Sequence, residues 1–250
     1  MSQPLAGRIA LVTGASRGIG AAAAIQLAQA GAHVVAVART RETLRALEET
    51  IRRNGGQSTV FALDMKDTAG LARLAAQIDS TFQRLDIMVA NAGLLGAATP
   101  VTEVDEATWN DLFAVNLAAN WHLIRLFDPL LKRSDAGRAV FITSGLARRR
   151  VPGVGVYAAT KAALNALVRI YATEQSAHGA LRINLFSPGA TRTELYTAAF
   201  PATDPTTLPT PEEVAVKLVE LCLPSVTQTG GLYDFRTAQW LPDDSGPGSR

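Results

Sequence analysis

Short apolar, β-branched runs recur along this chain between longer segments of helical period, and that alternation restricts the fold more than any other feature. The runs are Ile9 to Thr13, Val34 to Ala38, Thr59 to Ala62, Ile87 to Ala90, Ala139 to Thr143 and Leu181 to Phe186. Each is too short for a helix and apolar at successive positions, the pattern of a strand buried on both faces. The segments between them, beginning near Ile19, Arg41, Thr68, Glu106 and Val156, carry the apolar spacing and Ala/Leu content of helices. Such alternation predicts an α/β, doubly wound domain, with a predominantly parallel sheet of about seven strands and helices on both faces. The segment from Thr229 to Phe235 reads as the last strand, whereas Phe200 to Pro211, with prolines at 201, 205, 209 and 211, excludes regular helix or central strand.

No linker interrupts the pattern before Asp243, so residues 1–242 read as one domain and the polar, Gly/Pro-containing Asp243 to Arg250 as a flexible tail. A hydrophobic fraction of 48% and a charged fraction of 18% exclude disorder over most of the chain. The net charge is +2 with basic residues spread among acidic ones, so neither nucleic acid nor a membrane surface is indicated as a partner. The single cysteine, Cys222, excludes an intramolecular disulfide, fits a reducing compartment and reads as buried packing. The opening Met-Ser-Gln-Pro lacks the apolar core of a signal peptide, and no stretch approaches the roughly 18 apolar residues of a membrane span, so a cytoplasmic location is expected. His33, His122 and His178 are scattered without metal-ligand spacing, and no metal is expected.

In a doubly wound sheet, ligands collect at the carboxyl ends of the strands. The first strand runs there into Thr13-Gly14-Ala15-Ser16-Arg17-Gly18-Ile19-Gly20 and an Ala-rich helix. Glycines let the turn bend and its backbone approach a pyrophosphate, and the helix N-terminus offers unpaired N–H groups, so a dinucleotide is the natural ligand. The second strand ends Val37-Ala38-Arg39, without the carboxylate that would bind the ribose hydroxyls of NAD. Arg39 and Arg17 are instead charge-assisted donors for a 2′-phosphate, which favours NADP(H) and leaves NAD(H) open. The competing reading is that either arginine only faces solvent.

Tyr157 and Lys161 are four residues apart at the start of a helix, so they share one helical face. A phenol with a reference pKa near 10 is a weak base at neutral pH, and a neighbouring ammonium is a device for moving its proton. The pair gains weight from Ser144, at the ligand edge of the preceding strand, whose hydroxyl can hold a substrate oxygen. At this point the sequence resembles the classical short-chain dehydrogenase/reductase family. The resemblance runs in order from about Gly7 to Thr193 and includes the glycine-rich turn, Asp64, Asn91-Ala92-Gly93, Asn116, Ser144, Tyr157 with Lys161, and Ser187-Pro188-Gly189.

That resemblance implies a Rossmann-type fold and an NADP(H)-dependent oxidoreductase acting on a small carbonyl or alcohol substrate, most plainly a ketone, aldehyde or 3-oxoacyl compound. Carried onto this chain, Gly14, Ser16, Arg17, Gly18, Ile19 and Gly20 hold the pyrophosphate, Asp64 contacts adenine, and Asn91 supports the central strand. Thr193, with Pro188 and Gly189, meets the nicotinamide carboxamide. Lys161 binds the nicotinamide ribose, and Asn116 holds a water in a proton relay that reaches it. A binding protein that kept the fold without turnover is the alternative, and so, residue by residue, are ordinary turns, caps and core hydrogen bonds. The resemblance further implies a homodimer or homotetramer built on the helices around Trp109 to Leu131 and Tyr157 to Ser176. Trp109 and Trp121 fit an intramolecular core equally well, and the missing aspartate-glycine-glycine ending weakens the tetramer contact. Arg148-Arg149-Arg150 departs from the pattern, as either an attractor for an anionic substrate or carrier phosphate arm, or a solvated rim.

Overall fold

A computed structural model describes residues 3–176 and 179–242; His178 and the expected tail from Asp243 to Arg250 lie outside the described residues. The chain runs β1 (Ile9–Thr13), α1 (Gly18–Gln29), β2 (His33–Ala38), α2 (Arg41–Arg53), β3 (Gln57–Ala62), α3 (Thr68–Phe82) and β4 (Ile87–Ala90). It continues through α4 (Glu106–Phe113), a π-helical turn (Ala114–Ala118), α5 (Ala119–Leu131), β5 (Arg138–Ile142), α6 (Gly155–Gln175) and β6 (Arg182–Ser187). It closes with α7 (Glu194–Ala199), α8 (Pro211–Glu220), β7 (Leu232–Asp234) and β8 (Gln239–Leu241). These form one sheet of eight strands in the order β3-β2-β1-β4-β5-β6-β7-β8, parallel except for the last pair.

Alternate residues of the inner strands feed two cores, which is why the strands read as unbroken apolar runs. Ala10 and Val12 of β1 pack with α1, α2 and α8, whereas Ile9 and Leu11 pack with α3, α5 and α6 on the other face. The small side chains Ala23 and Ala24 of α1 are fully buried, and they let this helix lie close against the sheet. Strand order reverses between β1 and β4, so the loops after these two strands diverge and open a crevice.

Two features correct the sequence expectation. The expected strand Thr229 to Phe235 holds β7, but it is not the last: β8 follows it, antiparallel with Tyr233 opposite Trp240. With only three residues, β8 is too short for an alternating pattern to register. The reversal between β7 and β8 places Ala238 at φ 54°, a left-handed position where glycine or asparagine would have signalled a turn. The helix α8 was also not anticipated, although Thr210 and Glu213 form a reciprocal capping box and Pro211 occupies its first turn. Between α7 and α8 the proline-bearing segment forms only a 3₁₀ turn at Pro205–Thr207, in keeping with its composition. Trp109 and Trp121 are not core, being 44% and 45% exposed on α4 and α5. Cys222 is buried, and burial pushes its thiol up to about 12.

Candidate active site

The crevice is built by hydrogen bonds that tie the loop after β4 to the loop after β1. The Thr13 hydroxyl accepts the backbone N–H groups of Asn91 and Ala92, both at 3.0 Å. The Asn91 side chain returns the contact, donating through Nδ2 to the carbonyls of Thr13 (2.9 Å) and Gly14 (3.2 Å). Gly14 has φ 66° and lies against Ala92, so a side chain here would be strained in backbone and in space. Gly20 is tighter: a Cβ there would sit 2.3 Å from the Gly14 carbonyl oxygen and 2.4 Å from Asn91 Nδ2. Gly20→Ala is therefore expected to lose roughly 1–3 kcal/mol of stability by overpacking and to weaken dinucleotide binding. Urea unfolding and a cofactor titration check this; unchanged values in both would mean that the turn tolerates the displacement.

Above this turn, α1 begins with no side-chain cap and no acid in its first turn, so its N–H groups and positive dipole end face the crevice. The crevice is a cavity of about 570 Å³, and it runs from Arg39 and Asp64 at one end to Tyr157 and Phe200 at the other. That size suits a drug-sized ligand.

At the second end, Ser144 follows β5, and its hydroxyl accepts the Leu146 N–H at 3.1 Å. Tyr157 and Lys161 come from the first two turns of α6 and are both buried. Burial pushes the Tyr157 phenol up to about 12, and a hydrogen bond with Ser144 works in the opposite direction. Burial also lowers Lys161, to about 8, although its Nζ donates to the Ile142 carbonyl at 2.9 Å. Lys161 Nζ lies 5.9 Å from the centre of the Tyr157 ring. This refines the sequence expectation that the lysine charge governs the phenol: removal from water is the largest influence on each group.

Residues 8–204 match the short chain dehydrogenase family. The chain belongs to that family. The uncharacterized oxidoreductase YciK of Escherichia coli (strain K12) is 39% identical over 210 residues, which cover 83% of this chain and 82% of the relative. The uncharacterized NAD-dependent oxidoreductase MT0715 of Mycobacterium tuberculosis is 36% identical over 198 residues, covering 74% of this chain and 71% of that protein. A short chain dehydrogenase from Shigella flexneri 2a str. 301, solved in complex with NADP, superposes with a TM-score of 0.87 at 37% identity, covering 94% of this chain and 99% of that one. Membership makes this protein an oxidoreductase acting on a CH–OH or C=O group.

In this short-chain dehydrogenase, all but two of the site residues read from the sequence line the one cavity. Gly20 lies beneath the phosphate turn, where only its lack of a side chain matters. Asn116 sits behind the wall in the π-helical turn, accepting the Leu94 N–H and donating to the Leu94 carbonyl, both at 2.8 Å, and to Thr160 Oγ1 at 3.1 Å. Its carboxamide thus clamps the loop after β4 to α6. Arg17, expected beside Arg39, is engaged by Glu194 in the first turn of α7. Arg39 has no ion-pair partner among the described residues, and its positive charge repels that of Lys66, which is held by Asp111 at 2.9 Å. Asp64 accepts the Lys66 N–H at 2.9 Å, and Thr193 caps α7 while its methyl group faces Gly18.

Sequence reasoning missed the buried contact of 2.5 Å in which Thr143 Oγ1 donates to Asn165 Oδ1, next to Ser144. A signal was present, since Asn165 continues the Tyr157 and Lys161 face of the same helix at four-residue spacing. The described histidines are structural or exposed: His33 Nε2 pairs with Thr59 at 2.8 Å, and His122 packs beside Trp121. Among the described residues no group of three or more His, Cys, Asp or Glu could hold a metal ion, and no helix is long and apolar enough to cross a membrane.

Proposed function

We propose that this protein is an NADP(H)-dependent carbonyl reductase, working on a ketone, aldehyde or 3-oxoacyl compound and, in reverse, on the alcohol. The observation that carries this reading is the convergence of Ser144, Tyr157 and Lys161, from two elements, on a cavity whose far end presents Arg39. The residues fit a dinucleotide: an uncapped helix N-terminus and close-set glycines for the pyrophosphate, and a free guanidinium where a 2′-phosphate would lie. The NADP held by the Shigella flexneri neighbour supports this choice, and the NAD-dependent relative makes NAD(H) the competitor to test.

When bound, the nicotinamide supplies or accepts the hydride. The remaining steps belong to the chain. Ser144 holds the carbonyl oxygen, and Tyr157 gives that oxygen its proton as negative charge develops there. A phenol held near 12 stays protonated at neutral pH, which suits the donor in a reduction. Lys161 places positive charge behind it and offers its remaining N–H groups to the cofactor ribose. Asp64 serves the adenine, Asn91 fixes the crevice wall, and Thr193 with Pro188 and Gly189 bounds the carboxamide. With both N–H groups of the Asn116 carboxamide given to Leu94 and Thr160, a relay water would donate to one of the residue's two oxygens, of which the main-chain one already accepts from Asn120 Nδ2 at 2.8 Å. The exposed Trp109, Trp121 and Ile170 on α4, α5 and α6 support a face between copies of the chain.

Calorimetry with NADPH and NADH on wild type and Arg39→Ala tests the cofactor assignment, with a carbonyl panel followed by loss of NADPH absorbance. Wild type is expected to prefer NADPH, and Arg39→Ala to weaken it by about tenfold to a hundredfold with NADH little changed, the weight of one or two charge-assisted hydrogen bonds. A wild-type preference for NADH would overturn the arginine argument. NADPH binding without turnover of any carbonyl would point to a binding protein.

A further inference from the structure

We propose that the site takes an amphipathic carbonyl substrate, with an apolar body against the wall beside Tyr157 and an anionic end group, carboxylate or phosphate, held by Arg149. This rests on the reductase reading and names its substrate class. Beside Tyr157 the wall is apolar: Leu95, Val154 and Ala199 form a buried cluster with the tyrosine, and Leu146, Val151 and Phe200 pack on it. Polyol or sugar hydroxyls would find few hydrogen-bond partners along such a surface.

The charged side chains that line the cavity are otherwise spoken for. Arg17 pairs with Glu194, Lys66 with Asp111, and Asp64 takes a backbone N–H. The Arg192 guanidinium is spent on the carbonyls of Pro205 (2.8 Å), Thr206 (3.2 Å) and Leu208 (3.2 Å). Lys161 belongs to the catalytic group, and Arg39 lies at the opposite end. Arg149 remains, on the rim between Leu146 and Val151, with no ion-pair partner among the described residues.

Of the three consecutive arginines, the cavity lining includes Arg149 but not Arg148 or Arg150. Arg149 is where the chain leaves the 3₁₀ turn Gly145–Arg148, with φ −120° and ψ 148°. Val151 lines the cavity with it. The basic run is therefore divided, with one guanidinium over an apolar wall, where it is a strong donor to a carboxylate or phosphate.

The test compares 4-formylbenzoate and 9-oxononanoate with their methyl esters, on wild type, Arg149→Gln and Arg150→Gln, through NADPH absorbance. The expected result is a higher kcat/KM for an acid than for its ester. Arg149→Gln should lower the acid's value by about tenfold or more, and added salt should lower it in wild type, with the ester unmoved in both. Arg150→Gln should leave both unchanged. Equal losses for acid and ester, or a wild-type preference for the esters, would overturn the proposal. Should neither pair consume NADPH, calorimetry of the same compounds into the protein with NADP⁺ decides. Acid binding that Arg149→Gln weakens would sustain the ligand class and no acid binding would end it, while the reductase reading stands or falls separately on the carbonyl panel.

Discussion

Tyr157→Phe is expected to lower kcat for carbonyl reduction by about two to four orders of magnitude, the usual weight of a positioned acid or base, with cofactor affinity unchanged. The substitution removes one oxygen from a buried ring that packs with Leu95, Val154 and Ala199, and the ring itself remains. Loss of fold is thus separated from loss of chemistry, and a thermal melt alongside the kinetics checks the separation. The pH profile gives a second signature. Burial holds Lys161 at about 8, so its ammonium is lost as pH rises through that value, and kcat/KM for reduction should fall there in the wild-type enzyme. If Tyr157→Phe retained more than about a tenth of wild-type kcat, the proton would have to come from another group.

Asp86→Ala should cost about 2–4 kcal/mol of folding stability, because at the amino end of the strands, away from the cavity, it leaves the buried Ser134 hydroxyl and Ile9 N–H without their acceptor. Asp86 is fully buried at the entry to β4. It accepts hydrogen bonds from Ser134 Oγ (2.6 Å), the Ile9 N–H (2.8 Å), Arg84 Nε (3.1 Å) and Arg8 Nη1 (3.1 Å). Burial alone would raise its pKa, but the bonds from Ser134, Ile9, Arg84 and Arg8 outweigh it and hold the carboxyl below its usual value. The contribution to stability is therefore present above the unfolded pKa of about 3.9 and is lost as pH falls through the lower folded value. Urea unfolding at neutral pH should show the full deficit, and the gap between wild type and variant should shrink near pH 3. A neutral-pH deficit under about 1 kcal/mol would mean that Arg8, Arg84 and Ser134 find water or other partners when the carboxylate is gone.

What the sequence by itself determined was everything carried by short-range spacing. Seven of the eight strands, the glycine-rich turn between β1 and α1, and the Tyr157–Lys161 face of α6 all depend on residues within a few positions of one another. Strand and helix periods impose patterns at that range whatever the rest of the chain does. The family resemblance added Asp64, Asn91, Asn116 and Thr193, because their order along the chain could be matched before any contact was known. Tertiary structure decided what depends on residues far apart. It bound Thr13 to Asn91, clamped Asn116 to Leu94 and Thr160, and engaged Arg17 with Glu194. It also completed the sheet with a three-residue antiparallel strand and turned Arg149, but not Arg150, toward the cavity. Such choices follow from which polar groups are buried together and from which residues of a loop meet a wall, and neither is written in local spacing.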